Sequence, residues 1–281
     1  MKKFSYIADI KEFIAKEKND GKSVGFVPTM GALHDGHFSL VKNSVNENDL
    51  TIISIFINPI QFNNKEDLKN YPRKIEKDIE GLQKFRVDGV FIPDEKEMYP
   101  EPDYTEYDFG LLDKVMEGKY REGHFRGVAV VVKKLFEIVQ PDKAYFGEKD
   151  FQQLVVIKEL VRQLKLPIEI ISCPILREYD GLAMSSRNQL LSVEQRKNAA
   201  YISKILFDSQ KKVPELSVDI LKQWVIRQVN ENPVLEVEYF EIVNDTDLQP
   251  IKNWNDVFST HGCIAVKVGK VRLIDNIKYN L

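Results

Sequence analysis

The sequence predicts an α/β protein, with a doubly wound parallel sheet over residues 1–187 and a smaller α+β unit over residues 188–281. Three observations predict it. From residue 1 to about 176, short β-branched or aromatic runs alternate with helical stretches, the rhythm of βαβ units. The runs at 50–57 and 168–176 are nearly continuously apolar, as strands covered by helices on both faces are. After "SSRNQLLS" the rhythm gives way to two helical stretches and three strand-like runs, which need a core of their own.

The elements follow in chain order. "MKKFSYIADIKEFIAKEKND" is interrupted by charges before any leader-like apolar stretch can form, and reads as an amphipathic helix. Strands are expected at "SVGFV" (23–27), "LTIISIFI" (50–57), "DGVFIP" (88–93), "KAYFG" (143–147) and "IEIISCPIL" (168–176). Helices are expected between them over 65–86, 109–117, 124–139 and 150–165, the last two with apolar residues at three- and four-residue spacings. The second part reads as helices over 192–212 and 216–231, then strands "VLEVEYFEIV", "GCIAVKV" and "KVRLIDNI", with a hairpin turn at "KVGKV". No Gly/Ser or Pro-rich linker marks the boundary, which falls near 186–190, so close packing of the two parts is expected.

Composition narrows the function classes. With 281 residues, 43% hydrophobic and 30% charged, the chain can bury a core without staples. Forty basic against 43 acidic side chains leave a net charge of −3, so no overall footprint for nucleic acid or an anionic membrane is present. Cys173 and Cys263 each lie in an apolar run and make neither a disulfide framework nor a four-cysteine zinc site. They read as buried thiols of a reducing compartment. No run approaches the roughly 18 apolar residues of a membrane span. A cytoplasmic protein without nucleic-acid or membrane partners is expected.

Chemistry gathers where the predicted strands end, and in open parallel sheets ligands bind outside those carboxyl ends. "PTMGALHDGH" (28–37) joins the first strand to a helix, whose exposed N–H groups and positive dipole end suit a phosphate. His34 and His37 can share one side of the first turn, and Gly36 between them lets a ligand approach the backbone. As a metal half-site the pair lacks an evident third ligand. "FINPIQF" (56–62) adds Asn58 and Gln61, amides suited to hydroxyls and carboxylates. In "FGEKDFQQL" (146–154), Gly147 permits close approach, Lys149 offers a point charge, and Asp150 either caps the helix or accepts a ribose hydroxyl. Gln152 and Gln153 are adjacent, so only one of them can face a given site. "MSSRN" (184–188) brings two hydroxyls and the guanidinium fork of Arg187.

These motifs, with "YPR" (71–73), "GHFRGV" (123–128) and "RLIDNI" (272–277), run in order along the chain and resemble the pantothenate synthetase (pantoate–β-alanine ligase) family. The resemblance implies a Rossmann-like fold of the H-x-G-H nucleotidyltransferase type. It implies that pantoate, ATP and β-alanine become pantothenate, AMP and pyrophosphate through a pantoyl-adenylate, with Mg2+, in a cytoplasmic homodimer. By the same resemblance Met30, Gly31, Ala32, Leu33, His34, Asp35, Gly36 and His37 form the first ATP-binding stretch. His34 and His37 meet the phosphates, and His37 stabilises charge or donates a proton as pyrophosphate leaves. Gly147, Glu148, Lys149 and Asp150 hold ribose and phosphate, with Lys149 on the α-phosphate, while Leu176 lies beside adenine. Met184, Ser185, Ser186 and Arg187 grip the outer phosphates. Gln61 serves pantoate and the β-alanine site, Gln153 serves pantoate, and Asn58 is a further β-alanine candidate. For magnesium only Asp78 and Glu148 stand out, and the C-terminal unit is expected to act as a lid.

Two departures from the family pattern stand in loops: Asn63-Asn64 where a Gly-Pro pair is usual, and Glu122 where proline is usual. The residues alone also leave open a nucleotidyltransferase acting on a phosphate ester, and a nucleotide- or RNA-binding protein without catalysis.

Overall fold

The computed structural model describes residues 1–213 and 215–279. By internal contacts these form two units. One takes Met1–Phe109, Arg121–Glu148 and Val156–Pro174, and the other takes Gly110–Tyr120, Lys149–Val155 and the described residues from Ile175 onward.

The first unit is built on six strands: β1 (Lys2–Phe4), β2 (Val24–Thr29), β3 (Leu50–Ile55), β4 (Gly89–Phe91), β5 (Lys143–Gly147) and β6 (Glu169–Cys173). Their order is β1-β4-β3-β2-β5-β6, and every neighbouring pair is parallel. Its helices are α1 (Ile7–Asn19), α2 (Asp35–Glu47), α3 (Lys65–Asn70), α4 (Ile75–Leu82), α5 (Glu95–Met98), α7 (His124–Val139) and the greater part of α8 (Phe151–Leu164), while the short α6 (Met116–Tyr120) and the first residues of α8 are counted with the second unit. β3 is buried at all six positions, as its unbroken apolar run requires of a strand with both faces covered. One layer of core joins Val27, Ile53, Val90 and Tyr145 of the sheet to Leu40, Val41 and Leu82 of α2 and α4. From β2 the chain builds outward through β3 and β4, then returns to lay β5 on the other side of β2. That reversal is the switch point where such sheets open a crevice, and it sets Thr29 and Gly147 at the ends of adjacent strands.

Three sequence expectations differ in detail. β1 falls inside the segment read as helix: it is an edge strand of three residues, two of them lysine, so no apolar run marks it. The helix expected over 65–86 splits into α3 and α4, because Pro72 drives Tyr71 to ψ 128° and out of helical backbone. Of the helix expected over 109–117, helical structure begins only at Met116; Gly110 and Met116 have φ of +60° and +43°, a left-handed backbone that cannot propagate a helix.

The second unit holds the antiparallel strands β7 (Leu235–Asn244), β8 (Thr260–Val268) and β9 (Val271–Tyr279) in that spatial order, with α9 (Val193–Gln210) and α10 (Val218–Asn230). β8 and β9 meet through a tight turn in which Gly269 takes φ +62°. Ile202 and Leu206 of α9 and Leu221 and Val225 of α10 bury one cluster with Phe240, Ile264 and Val266. A second cluster joins Tyr239, Val243, Cys263 and Ala265 of the sheet to Met116, Phe151 and Val155. Glu117 fixes that arrangement: its carboxylate accepts both Nη atoms of Arg272 (2.6 and 2.8 Å) and the Tyr239 hydroxyl (2.8 Å).

Candidate active site

In the first unit the site starts at the end of β2. Thr29 donates its hydroxyl to the Ser54 carbonyl and accepts the Gly31 N–H, which turns the chain sharply. Gly31 has φ +81°, and a Cβ there would stand 3.0 Å from Ile55 and 3.1 Å from Asp78, so both conformation and space call for glycine. Ala32 also lies in the left-handed region at φ +50°, which costs about 1–2 kcal/mol for a residue with a Cβ. Asp78 of α4 holds this strained segment: its two oxygens accept the N–H groups of Ala32 (2.8 Å) and Leu33 (2.7 Å). Burial pushes the Asp78 carboxyl above the ordinary aspartate range, against the opposing pull of those two amides. A carboxylate with both oxygens committed to backbone is a clamp for the loop.

His34 is the N-cap of α2, and His37 is its third residue. The Gly36 N–H donates to His34 Nδ1 at 3.2 Å, and the His34 N–H donates to His37 Nδ1 at 3.3 Å. A backbone N–H can only donate, so both Nδ1 atoms accept and each neutral ring carries its proton on Nε2. The ring centroids lie 4.1 Å apart. Two imidazole Nε2–H donors thus accompany the N–H groups at the start of α2, with Asp35 exposed beside them.

Gln61, at the end of a short turn over Pro59–Gln61, is buried and reaches the same stretch: its Nε2 donates to Met30 Sδ at 3.0 Å. Asn58 is committed within the chain. Its Nδ2 donates to Gln61 Oε1 and the Gly127 carbonyl, and its Oδ1 accepts the Tyr99 hydroxyl and the Ile60 N–H. All four hydrogen-bonding positions of the amide are filled. "GHFRGV" explains itself here. Arg121 can only donate to His124 Nε2 (3.2 Å), so His124 Nδ1–H donates to the Gln61 carbonyl (2.9 Å). Gly127 lets α7 press onto the turn: a Cβ there would come within 2.5 Å of Gln61 Cα. Gly147 and Glu148 follow β5, and a Cβ at Gly147 would meet nothing within 4 Å.

In the second unit Lys149 and Asp150 complete the turn that begins at Glu148, with Lys149 Nζ 3.8 Å from the Asp150 carboxylate. Gln152 is spent on structure, donating to the carbonyls of Leu112 and Val115 and accepting the Glu117 N–H. Its neighbour Gln153 is half-buried. Leu176 and Met184 come together because the Met184 N–H donates to the Leu176 carbonyl (3.0 Å) across a hairpin closed by Arg177 and Ala183. Arg196 holds Asp180 in that hairpin with two bonds of 2.6 and 3.2 Å, and keeps the Asp180 carboxyl below its ordinary range. Ser185 caps the short turn over Ser186–Leu190 by accepting the Arg187 N–H, and Ser186 is buried.

His124, Gly127 and Tyr99 carried no role in the sequence reading, and Asp78 entered it only as a magnesium candidate, whereas both of its oxygens are taken by the Ala32 and Leu33 amides. "GHFRGV" was a signal for two of the first three, and nothing in "KIEKDIEGL" marks Asp78 as a clamp. The departures are locally accounted for: Asn64 caps α3 by accepting the N–H groups of Glu66 and Asp67, and Glu122 sits on an exposed turn.

Comparison with known proteins gives a consistent picture. The family model described as Pantoate-beta-alanine ligase matches residues 2–278. A pantothenate synthetase from Porphyromonas gingivalis is 51% identical over 279 residues, covering 99% of either chain. A crystal structure of pantothenate synthetase from Thermus thermophilus superposes with a TM-score of 0.93 at 40% identity, covering 100% of both chains. A crystal structure of pantoate-beta-alanine ligase from Francisella tularensis, complexed with beta-gamma ATP and beta-alanine, gives a TM-score of 0.84 at 36% identity, with 99% of this chain and 97% of that one covered.

Proposed function

We infer the reaction from a plain premise: the chain belongs to the pantoate-beta-alanine ligase family. It is an ATP-dependent ligase that condenses pantoate with β-alanine. The observation that carries the chemical reading is the α2 N-terminus, where His34 and His37 both accept backbone N–H groups at Nδ1 and so hold Nε2–H donors at the switch point of the sheet.

A carboxylate acylates poorly, so the pantoate carboxylate first attacks the α-phosphorus of ATP, and the bond to pyrophosphate breaks. The amine of β-alanine then attacks the acyl carbon of the pantoyl-adenylate, loses a proton, and expels AMP. The first step brings an anion to a polyanion and depends on placed donors and positioning. We assign His34, His37, Lys149 and Arg187 as those donors. The tautomer supports hydrogen bonding from the Nε2–H of His37 to the departing pyrophosphate, in place of delivery of a proton. Met30 to His37, with Gly147 and Glu148, are assigned to the nucleotide, and so are Asp150, Leu176 and Met184 to Ser186.

Gln61 and Gln153 are assigned to pantoate, with Gln61 also serving β-alanine. Asn58 is reassigned from β-alanine to holding Gln61, since its amide is filled within the chain. Mg2+ is proposed to arrive with ATP, because it favours phosphate oxygens and retained waters over an all-protein cage. The C-terminal residues are proposed to keep water from the adenylate. A cytoplasmic homodimer is the proposed setting; among the described residues no helix is long and apolar enough to cross a membrane.

The deciding assay measures AMP and pyrophosphate release with pantoate, with and without β-alanine. Pantoate-dependent ATP/pyrophosphate exchange, with sustained AMP release only when β-alanine is present, is expected. Exchange that needs a phosphate ester and ignores pantoate would overturn the reading.

A further inference from the structure

"RLIDNI" has a motif's regularity, yet none of the assigned roles uses it. Its Asp275 and Asn276 lie on β9, an edge strand of the second unit's sheet, and both are only 4% exposed. Asn276 Nδ2 donates to the backbone carbonyl of Lys149 at 3.0 Å. The backbone of Asn276 is itself held by side chains: its N–H donates to Asp275 Oδ1 (2.8 Å), and its carbonyl accepts from Arg177 Nη2 (3.3 Å). Arg177 grips Asp275 with both Nη atoms, at 2.7 and 3.0 Å, and also donates to the Gly181 carbonyl within its own hairpin. That hairpin leads directly into Met184–Arg187.

Edge strands usually leave such backbone groups to solvent. Here the Asn276 carbonyl ties the 177–183 hairpin and its side-chain amide ties the Lys149 turn, so two separate segments meet at one point on one strand. A buried Arg–Asp pair contributes little net stability compared with an apolar pair, but its planar fork fixes orientation as well as distance. The arrangement therefore makes better sense as a setting for geometry than as a source of stability.

We propose that Asn276 is a positioning residue for adenylation: held in place by the Arg177–Asp275 pair, it fixes the backbone of Lys149 so that the ammonium group is pre-set for the nucleotide phosphates. The proposal rests on the reading that Lys149 meets those phosphates. It adds that the C-terminal strand sets the rate of the first chemical step, although neither Asp275 nor Asn276 touches substrate.

The test is a double-mutant cycle on the full-length enzyme, read by pantoate-dependent ATP/pyrophosphate exchange, with the variants Asn276→Ala, Lys149→Ala and the pair. Asn276→Ala is expected to lower kcat for exchange on the order of 10- to 100-fold, the effect of a misplacement near 1 Å, with the KM for pantoate unchanged. In the Lys149→Ala background the same change is expected to cost less than about 2-fold, because residues that act through one another do not add. Asn276→Ser, which shortens the donor with less lost volume, replaces Asn276→Ala if the latter does not fold, with the same expectation. Equal losses in both backgrounds, or unchanged exchange in the single variant, would overturn the proposal. Unchanged exchange in Lys149→Ala would instead remove the phosphate reading of Lys149, and the proposal with it.

Discussion

Replacing Gly127 with alanine is a small change whose effect can be worked out from the geometry. The new Cβ would stand 2.5 Å from Gln61 Cα, 2.6 Å from Gln61 N and 2.7 Å from the Ile60 carbonyl carbon, all backbone atoms that no rotamer can move. Ordinary contact begins at 3.4 Å, so the turn and α7 must separate by about 0.9 Å, the difference between 3.4 and 2.5 Å. The Gly127 carbonyl also anchors Asn58, and His124 on the same helix anchors the Gln61 carbonyl, so the displacement acts on Gln61 through three attachments. Overpacking of this kind costs roughly 1–3 kcal/mol of stability. Alanine is favoured over glycine inside a helix by about 1 kcal/mol, which offsets part of that cost. Misplacement by about 1 Å of a group that orients a reactant can cost on the order of 100-fold in rate. The expected outcome is a folded enzyme with a modestly lowered melting temperature and a loss of 10- to 100-fold in kcat/KM for pantoate, measured by steady-state AMP release. Wild-type kcat/KM in a variant that melts a few degrees lower would refute the claim that α7 positions Gln61.

Three further outcomes are expected. His37→Ala should raise the barrier to pantoate-dependent ATP/pyrophosphate exchange by about 2–4 kcal/mol, a loss on the order of 30- to 1000-fold, and unchanged exchange would take His37 out of the mechanism. Asp78→Ala leaves the Ala32 and Leu33 amides without their acceptor and should cost about 3 kcal/mol, read as a drop of roughly 6–12 °C in the thermal midpoint together with a raised KM for ATP. A drop under about 2 °C would show that the loop holds its strained backbone without the clamp. Asp180 is held below its ordinary range by Arg196, so its stabilising contribution is complete above about pH 4 and is lost as pH falls through the lowered value. Asp180→Asn should flatten that acid limb of the stability profile by about 1 kcal/mol or less, and an unaltered limb would assign it to other carboxylates.

The sheet and the histidine pair were legible in the sequence because each is written in local spacing. A six-residue buried strand such as β3 shows as an apolar run, and three-residue separation alone brings the His34 and His37 rings within 4.1 Å. What was not legible depends on partners far along the chain. Asn58 looks like a ligand amide in "NPIQ" until Tyr99, 41 residues later, donates to its oxygen and Gly127, 69 residues later, accepts from its nitrogen. Asp78 reads from sequence as a magnesium candidate, and its clamp role is not legible because its partners are backbone amides, which carry no side-chain signature. β1 escaped because pairing with β4 at a sheet edge demands hydrogen bonds and not apolar residues.

The salt bridge of Glu117 to Arg272 spans 155 residues of chain, and Met116 and Phe151 belong to the same cluster as the C-terminal sheet. During synthesis the segments around 110–120 and 149–155 leave the ribosome long before the strands that cover them. Their apolar side chains must wait, exposed, for β7 and β8 to emerge. The nascent chain is therefore most vulnerable to aggregation and proteolysis over this interval, and loss of β9 would take Leu273, Ile277 and Tyr279 out of the second unit's core.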